Sequence, residues 1–333
     1  MSMNLVTGGA GFIGSHVAES LVTSGHKVVI LDDLSGGFID NVPDGATFVQ
    51  ASILDNSRIK ALFEEYRFDY VYHLAAYAAE GLSHFIKRFN YLNNLMGSIN
   101  LINASINYGV KCFIFTSSIA VYGSATPPMV ETMIPHPEDS YGIAKYAVEM
   151  ELRACREMFG LDYIIFRPHN VYGPRQNIGD MYRNVIGIFM NQAMQGVPMT
   201  VFGDGTQTRA FSYIKDVAPI IAGAVDIPGA TNEVFNIGAD QPYAINTLTE
   251  MISEIMGINH QVVYKEARNE VVHAYSSHQK LRKTFSPPKP IALIDGLREM
   301  ADWVKSTGPH KSQIFSEIEI RKGLPASWRI EKK

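Results

Sequence analysis

The sequence contains only two cysteines in 333 residues, Cys112 and Cys155, which is too few for a disulfide framework. Both lie in apolar or helical contexts, so we expect buried thiols and a reducing, cytoplasmic location. No apolar run approaches the roughly 20 residues of a membrane-spanning helix, and the N-terminus lacks a signal-peptide pattern. The net charge of −4 argues against a nucleic-acid partner. Histidines at metal-ligand spacing are also lacking, so we expect no metal site.

What is present predicts a large α/β fold. Hydrophobic residues make up 46% of the chain and charged residues 19%, which is enough to bury a sizeable core. Alternation of apolar strands and amphipathic helices is typical of a Rossmann-type, doubly wound parallel sheet covered on both faces. The pattern predicts strands at 4–7, 27–31, 47–50, 69–74, 111–116 and 162–166, and helices at 12–24, 56–65, 84–107 and 140–159.

A glycine-rich turn, Thr7–Gly14, follows the first predicted strand. Gly8, Gly11 and Gly14 allow a tight turn and a close approach of backbone to phosphate, and the helix that follows offers N–H groups. Asp32 ends the second predicted strand, where a carboxylate accepts hydrogen bonds from an adenosine ribose and repels a 2′-phosphate. The pattern therefore predicts a dinucleotide site that prefers NAD to NADP.

A second motif, Tyr141-Gly142-Ile143-Ala144-Lys145, places a tyrosine and a lysine on one face of a predicted helix. A free phenol, with a pKa of about 10, is a weak base at neutral pH, and a nearby ammonium lowers that pKa. Thr116-Ser117-Ser118 ends a strongly apolar strand, so it points into the crevice at the carboxyl edge of the same sheet. Behind a glycine turn, these residues predict a phenol that moves a proton while a nicotinamide moves a hydride.

The composition of the sequence changes after Pro168, where the predicted loops become rich in glycine and proline. Short helices near 184–195, 215–226, 247–256 and 291–306 lie between these loops. We therefore expect an NAD-binding domain over 1–167. Residues 168–333 are expected to form mainly a smaller C-terminal substrate-binding lobe, with some chain returning to the first domain.

The chain resembles the extended short-chain dehydrogenase/reductases, in the NAD-dependent epimerase/dehydratase group, and within it the UDP-hexose 4-epimerases. The resemblance spans about residues 4–305 and rests on several motifs together. These are Thr7–Gly14, Asp32, His73–Ala76, Asn94, Thr116–Gly123, Tyr141–Lys145, Arg167–Arg175 and Phe202–Arg209.

The resemblance implies roles for individual residues. Ser118, Tyr141 and Lys145 would be catalytic: Ser118 is the hydroxyl partner, Tyr141 the base, and Lys145 tunes Tyr141 and holds the nicotinamide ribose. Ser52-Ile53 stands where relatives carry an Asp-Ile pair beside adenine. The implied NAD site comprises Gly8, Gly11, Phe12, Ile13, Gly14, Asp32, Ser52, Ile53, Leu74, Ala75, Ala76, Asn94, Ser117, Tyr141, Lys145 and Pro168.

The same resemblance implies a UDP-sugar site. Two arginines, Arg209 and Arg268, would pair with the diphosphate, because planar guanidinium groups suit phosphate oxygens. Arg183 neighbours the predicted substrate residue Asn184 and would suit a carboxylate at C6 of the sugar. The implied substrate site comprises Ser118, Tyr141, Asn170, Arg183, Asn184, Phe202, Arg209 and Arg268.

The expected reaction is inversion at C4 of a UDP-hexose through a transient 4-keto sugar. We expect UDP-glucose/UDP-galactose as the substrate pair slightly more than UDP-glucuronate/UDP-galacturonate. Arg183 would bind the C6 carboxylate of the second pair. Relatives that act as 4,6-dehydratases carry Asp-Glu directly after the catalytic hydroxyl residue, and decarboxylases use a related Glu, whereas this chain carries Ile119-Ala120 there, with no titrating group. A non-catalytic NAD-binding module could lose Ser118, Tyr141 or Lys145, yet all three are present. A reductase that releases NADH remains an alternative.

Relatives of this kind pair through two long helices, here predicted at 84–107 and 140–159. We therefore expect a homodimer through a four-helix bundle, with no membrane partner. Some of the apolar residues on these helices would face the sheet, and the others would form the dimer interface. They are Phe85, Leu92, Leu95, Ile99, Ile106, Val148, Leu152 and Met158.

Overall fold

The computed structural model describes residues 1–267, 271–311, 315–325 and 328. The strands are β1 Met3–Thr7, β2 Lys27–Asp32, β3 Thr47–Gln50, β4 Tyr70–His73, β5 Cys112–Thr116, β6 Asp162–Pro168, β7 Val171–Tyr172, β8 Met199–Phe202, β9 Thr208–Ala210, β10 Ser212–Tyr213, β11 Glu233–Ile237, β12 Pro242–Ala244, β13 Val262–Lys265 and β14 His273–Ala274. The helices are α1 Phe12–Thr23, α2 Asn56–Tyr66, α3 Glu80–Ser83, α4 Lys87–Tyr91, α5 Gly97–Asn107, α6 Ser140–Phe159, α7 Val185–Met194, α8 Ile214–Ala222, α9 Ile245–Met256, α10 Gln279–Phe285 and α11 Leu293–Thr307.

The centre of the molecule is a seven-stranded parallel sheet in the order β11-β6-β5-β4-β1-β2-β3. This confirms the predicted Rossmann-type fold. The six predicted strands are its first six, and β5 is buried along its whole length, as expected of a central strand covered on both faces. The seventh strand, β11, comes from the second half of the chain and pairs with β6 through Val234 opposite Ile165. The sequence predicted that part of residues 168–333 returns to the first domain, but it did not identify which segment does so.

Two apolar cores lie on opposite faces of the sheet. On one face, α2, α5 and α6 bury Leu62, Leu101 and Leu152 against the sheet. On the other face, α1 and α8 pack there, and the core continues into α7, α9 and α11 of the C-terminal lobe. The lobe therefore shares its hydrophobic core with one side of the Rossmann sheet.

The predicted helix at 84–107 is more segmented in the structure. α3 is a separate turn, α4 begins at Lys87, and a π-helical turn over Leu92–Met96 joins α4 to α5. The π turn inserts extra chain between two α-helical registers, which periodicity reasoning does not anticipate. It leaves the Asn94 side chain buried beneath the loop that follows β4.

The predicted apolar positions on these helices face different surroundings. Val148 and Leu152 are fully buried against the sheet, and Leu95, Ile99 and Ile106 pack beside them. Phe85 belongs to a separate cluster with the C-terminal segment. Only Leu92 and Met158 of the predicted set are substantially exposed, so most of it is core rather than interface.

The C-terminal lobe is built from short strands. β8 pairs with β13, β9 pairs with β12 and β14, and β7 pairs with β10. These strands are too short for the sequence pattern to identify, and they were predicted only as loops between helices. Their edges bring β8, β9 and β14 to the carboxyl end of the Rossmann sheet.

The segment after α11 returns to the Rossmann domain. The carboxylate of Glu319 accepts hydrogen bonds from the backbone N–H groups of Arg88 and Phe89 at 2.8 and 2.9 Å, which caps α4. Phe315 packs against Tyr77 and Phe89. The segment therefore lies against the loop that follows β4.

Candidate active site

A cleft of about 1160 Å³ lies between the carboxyl edge of the sheet and the C-terminal lobe. Most of the predicted site residues line it. Ser52 and Asn94 do not, and Arg268 lies outside the described residues. The lining residues that were predicted are Gly8, Gly11, Phe12, Ile13, Gly14, Asp32, Ile53, Leu74, Ala75, Ala76, Ser117, Ser118, Tyr141, Lys145, Pro168, Asn170, Arg183, Asn184, Phe202 and Arg209.

The glycine turn leaves no room for side chains. Gly8 has a φ of +71°, and a Cβ atom there would lie 2.7 Å from the backbone nitrogen of Ala75. A Cβ atom on Gly14 would lie 2.0 Å from the carbonyl oxygen of Gly8. α1 begins at Phe12 directly after this turn, so its first N–H groups point into the cleft. The backbone thus forms the cradle that a dinucleotide pyrophosphate requires.

Asp32 is held at the end of β2 by two backbone hydrogen bonds. Its carboxylate accepts from the N–H of Ala10 at 3.0 Å and of Leu34 at 2.8 Å. Burial raises the pKa of Asp32, and these two hydrogen bonds counteract the rise. The carboxylate therefore has a defined orientation beside the glycine turn.

The loop after β2 closes over the glycine turn, which the sequence reasoning missed. A Cβ atom on Gly37 would lie 2.5 Å from the carbonyl carbon of Ala10, and the N–H of Phe38 donates to the carbonyl oxygen of Ala10 at 2.9 Å. The signal for this contact was the Gly36-Gly37 pair. Adjacent glycines a few residues after the ribose-binding carboxylate indicate close backbone approach.

Asn94 supports the cofactor-side wall from behind. Its amide accepts from the N–H of Tyr77 at 2.8 Å and donates to the carbonyl oxygen of Tyr77 at 3.1 Å. Asn94 is buried under the loop at 74–77, so the structure places it behind the wall and its predicted role in holding the cofactor stays a prediction. The Ser52 hydroxyl accepts a hydrogen bond from the N–H of Leu54 at 3.2 Å, and Ile53 beside it lines the cleft.

The predicted catalytic residues meet at the base of the cleft. Asp139 caps α6, accepting from the N–H groups of Tyr141 and Gly142 at 2.8 and 2.9 Å, and so fixes where the helix begins. Ser118 follows β5 and hydrogen-bonds to the Tyr141 phenol. The Lys145 ammonium nitrogen lies 5.8 Å from the centre of the Tyr141 ring and donates to the carbonyl oxygen of Thr116 at 2.7 Å.

Burial dominates the protonation of this pair. Desolvation raises the pKa of Tyr141, and the charge of Glu80 adds to the rise, while the hydrogen bond from Ser118 counteracts it. Burial lowers the pKa of Lys145 to about 7, although the charge of Glu149 opposes the fall. Desolvation is therefore the largest influence on the pKa of both groups, whereas the sequence reasoning expected Lys145 to lower the pKa of Tyr141.

A buried ion pair that the sequence reasoning also missed lies beneath Lys145. Glu149, one turn further along α6, accepts from both the Nε and Nη2 atoms of Arg167 at 2.9 and 2.6 Å. Its carboxylate also accepts from the Ser117 hydroxyl at 2.6 Å. Arg167 in turn donates to the Tyr122 hydroxyl at 2.7 Å. The network joins α6 to the carboxyl ends of β5 and β6.

Arg183 already has an acidic partner. Its Nε atom donates to the Asp180 carboxylate at 2.7 Å, and its guanidinium lies over the ring of Tyr77, 4.7 Å from the ring centre. A Cβ atom on Gly36 would lie 3.4 Å from its Nη2 atom. Arg183 therefore sits between the two loops that wall the cofactor side of the cleft.

The other predicted substrate residues lie on the lobe side of the cleft. Asn170 has a φ of +40°, and its amide donates to the carbonyl oxygen of Ala210 at 3.1 Å. The guanidinium of Arg209 donates to the carbonyl oxygens of Val271 and Val272 at 2.6 and 2.8 Å. Asn184 precedes α7, and Phe202 ends β8.

The described part of the chain has neither a metal-binding cluster nor a membrane-spanning helix. In residues 1–267, 271–311, 315–325 and 328, no group of three or more His, Cys, Asp or Glu side chains is arranged to hold a metal ion. Across the same residues, no helix has the length and apolar character needed to cross a bilayer.

The fold and the site place the chain in a known class. A model of the NAD dependent epimerase/dehydratase family matches residues 4–238, so the chain belongs to that family, and its cofactor is NAD. This confirms the resemblance that the motifs indicated. The glycine cradle, Asp32 and the wall at 74–77 fit that cofactor.

Particular relatives extend the match beyond the family model. A putative UDP-glucose 4-epimerase from Methanocaldococcus jannaschii is 34% identical over 311 residues, which cover 91% of this chain and 99% of that protein. The structure of UDP-glucose 4-epimerase from Thermotoga maritima with UDP-glucose is 37% identical, with a TM-score of 0.88 over 92% of this chain and 99% of that one. UDP-glucuronic acid 4-epimerase from Bacillus cereus, in complex with UDP-glucuronic acid and NAD, is 28% identical, with a TM-score of 0.84 over 92% and 99% of the two chains.

Proposed function

We propose that the protein interconverts the C4 epimers of a UDP-hexose, with UDP-glucose and UDP-galactose as its substrate pair. The observation that carries the proposal is the grouping of Tyr141, Ser118 and Lys145 at the base of the cleft, between the glycine cradle and the C-terminal lobe. The match to UDP-glucose 4-epimerases over nearly the whole length of each supports the same reaction.

Tyr141, Ser118 and Lys145 have separate roles in the proposed reaction. Tyr141 accepts the proton of the C4 hydroxyl and Ser118 shares it through their hydrogen bond, while the C4 hydrogen leaves as a hydride and C4 becomes a ketone. NAD held in the glycine cradle would supply the hydride acceptor and donor at C4. Lys145 supplies positive charge next to the phenol, and Glu149 favours the charged form of Lys145. Tyr141 then returns the proton to the new C4 hydroxyl.

The residues after Ser118 favour epimerisation over elimination. A dehydratase must protonate a leaving hydroxyl and remove a proton, which requires an acid and a base near C5 and C6 of the sugar. Ile119 and Ala120 have no titratable side chain and are largely buried. The positions next to the catalytic hydroxyl therefore cannot supply that chemistry.

The pairing of Arg183 favours the neutral sugar pair. A C6 carboxylate would have to compete with Asp180, which already holds the guanidinium at 2.7 Å. Breaking a charge-assisted hydrogen bond of this kind costs about 1.5–3 kcal/mol. A C6 hydroxyl makes no such demand on the ion pair.

A panel of substrates tests the proposal directly. The purified protein is incubated separately with UDP-glucose, UDP-galactose, UDP-glucuronate and UDP-galacturonate, and the products are identified by NMR. We expect UDP-glucose and UDP-galactose to interconvert without accumulation of absorbance at about 340 nm, because the reduced nicotinamide is reoxidised in each turnover. Conversion of UDP-glucuronate alone would contradict the substrate assignment, and release of NADH would contradict the epimerase assignment.

The variant Arg183→Ala isolates the role of this arginine. We expect kcat/KM to change by the same factor for UDP-glucose and UDP-glucuronate, since Arg183 is committed to Asp180 and Tyr77 in the wall of the cleft. The ratio of the two values is the internal control, because it cancels any effect on the cofactor. A selective loss on UDP-glucuronate of about 10-fold or more would reassign Arg183 to a C6 carboxylate.

We also propose that the protein forms a homodimer through α6 and the helix formed by α4, the π turn and α5. Ile143 and Met150 are 43% and 54% exposed on α6, and Leu92 and Met96 are 39% and 47% exposed on the π turn. Large apolar side chains exposed in a row along neighbouring helices suit a self-complementary interface.

A further inference from the structure

We infer that the buried His278 and His169 form a positioning relay with Asp240, whose side chain is 52% exposed, and that His278 carries two protons and holds the substrate-facing segment at Asn170 and Ala210 in place. The inference rests on the proposed function, because that segment is the one assigned to the UDP-sugar. Asp240 and His278 lie outside the motifs that predicted the site, and His169 lies within the Arg167–Arg175 motif without being one of the predicted site residues.

The relay is a continuous chain of short contacts. The Nδ1 atom of His278 lies 2.7 Å from the Asp240 carboxylate, and its Nε2 atom lies 3.1 Å from the Nε2 atom of His169. The Nδ1 atom of His169 lies 3.1 Å from the carbonyl oxygen of Ala210. The ring planes are inclined by 27° with centres 5.1 Å apart, and the His278 and His169 side chains are only 1% and 3% exposed.

The hydrogen-bond partners of the two rings determine which ring nitrogens carry a hydrogen. The carbonyl oxygen of Ala210 can only accept, so the Nδ1 atom of His169 must carry a hydrogen. Burial lowers the pKa of His169 to about 3, so its Nε2 atom is left as an acceptor. A hydrogen bond between the two rings then requires a hydrogen on the Nε2 atom of His278, beside the Ser276 hydroxyl.

The other end of the chain requires a second proton on His278. The hydrogen bond from His278 lowers the pKa of Asp240 to about 2, and Arg282 lowers it further, so the carboxylate can only accept. The Nδ1 atom of His278 is therefore a donor as well. If His278 carried a hydrogen only on Nδ1, the lone pairs of the two Nε2 atoms would face each other at 3.1 Å. If it carried a hydrogen only on Nε2, the lone pair of Nδ1 would face the Asp240 carboxylate.

The charged and polar groups around His278 come from three parts of the fold. Asp240 follows β11, Arg282 lies on α10 and bonds to the same carboxylate, and His169 follows β6. The Ser276 hydroxyl also lies 3.1 Å from the Nε2 atom of His278. Asp240 is thus placed between two cations and stabilises the charge on His278.

The relay ends at the predicted substrate residues. The carbonyl oxygen of Ala210 receives hydrogen bonds from both His169 and the Asn170 amide, and Arg209 is the preceding residue. The Ser212 hydroxyl donates to the carbonyl oxygen of His169 at 2.9 Å, which closes the arrangement. A displaced His169 would therefore shift both Asn170 and the strand that carries Arg209.

The protonation of His278 is measured by nitrogen NMR of histidine-labelled protein at about pH 7. We expect both ring nitrogens of His278 to carry protons, and only the Nδ1 atom of His169 to do so. The two rings are identified by the signals lost in His278→Gln and His169→Gln. A neutral His278, or a doubly protonated His169, would overturn the relay, and this result does not depend on which reaction the enzyme catalyses.

The positioning role is measured by kinetics of two variants. His278→Gln keeps an amide donor but removes the charge, and Asp240→Asn removes the charge that stabilises it. We expect each to raise KM for the UDP-sugar by about tenfold while kcat stays within about twofold, since neither touches the reacting atoms. His260→Gln, at an exposed histidine bonded to Thr249, is the matched control and should change neither constant.

The outcomes separate this inference from the proposed function. An unchanged KM in both variants, or a loss confined to kcat, would show that the network does not position the substrate. If the wild-type protein epimerised no UDP-hexose, the proposed function would fail, whereas the NMR result would still decide the protonation of the relay.

Discussion

Desolvation acts in opposite directions on Tyr141 and Lys145. It raises the pKa of the phenol and lowers the pKa of the ammonium to about 7, so burial favours the neutral form of each. Two buried neighbours counteract this: the Ser118 hydroxyl hydrogen-bonds to the phenol, and the Glu149 carboxylate lies one helical turn beyond the lysine. Catalysis in this site therefore depends on residues that support the motif as well as on the motif itself.

The variant Tyr141→Phe removes the proton acceptor while keeping the ring. We expect turnover to fall by at least about 10²-fold, the lower range for a positioned acid–base group, with NAD still bound. Steady-state kinetics and the cofactor content of the purified variant measure the two effects. Tyr146→Phe on the same helix is the control. Near-normal turnover in Tyr141→Phe would rule out the assigned role.

Buried neutral histidines should make stability depend on pH. The pKa of His169 is lowered by burial to about 3 in the folded protein, whereas an unfolded histidine titrates near about 6.5. The unfolded chain binds the proton first as pH falls, so stability is lost below about pH 6.5, by about 2 kcal/mol at about pH 5 from this group.

Urea unfolding of wild type and His169→Gln, each at about pH 7 and pH 5, measures this contribution. We expect the loss of stability between the two pH values to be smaller in the variant. An equal loss in both proteins would mean that His169 is not the group that titrates on unfolding.

At the scale of elements, α6 carries three functional positions on one face. Tyr141, Lys145 and Glu149 follow each other at intervals of four residues, which aligns them along the helix. The first two face the cleft, and Glu149 instead pairs with Arg167 of β6 and Ser117 after β5. This ion pair fixes the height of the helix relative to the strand ends.

Glu149→Gln should destabilise the protein by about 3 kcal/mol. The substitution leaves the fully buried Arg167 guanidinium without its counter-charge, and a buried charge that loses its partner is costly. Glu151→Gln, two residues away on the exposed side of α6, is the matched control and should stay within about 0.5 kcal/mol of wild type. Chemical denaturation gives both values, and a similar small effect in the two variants would contradict the structural role of the pair.

At the scale of the whole molecule, the chain crosses between its two halves more than once. β11 returns from the second half to extend the Rossmann sheet beside β6. The segment 315–325 returns again, where Glu319 caps α4 and Phe315 packs on Tyr77. Both returns connect the C-terminal half of the chain to the Rossmann domain, so the two sides of the cleft are held together at more than one place.

The proposed dimer is tested by placing charges on its exposed apolar face. Ile143→Glu and Met150→Glu, combined, should convert the protein from dimer to monomer, because the charges would be buried at the interface without partners. Light scattering at micromolar concentration measures the mass. Ile134→Glu, at an apolar residue that is 88% exposed in a loop, is the control. A monomeric wild-type protein would contradict the proposal.

The parallel sheet, the glycine cradle and the meeting of Ser118, Tyr141 and Lys145 could be predicted from the sequence, because each depends on local pattern and on the edge where parallel strands end. The contacts behind them could not be predicted, because they depend on packing between distant parts of the chain. The π turn that buries Asn94, the pairing of Arg183 with Asp180, and the relay from Asp240 to His169 join residues brought together by packing. The pKa values of Tyr141 and Lys145 likewise follow from burial depth, which arises from the folded whole and has no signature in residue spacing.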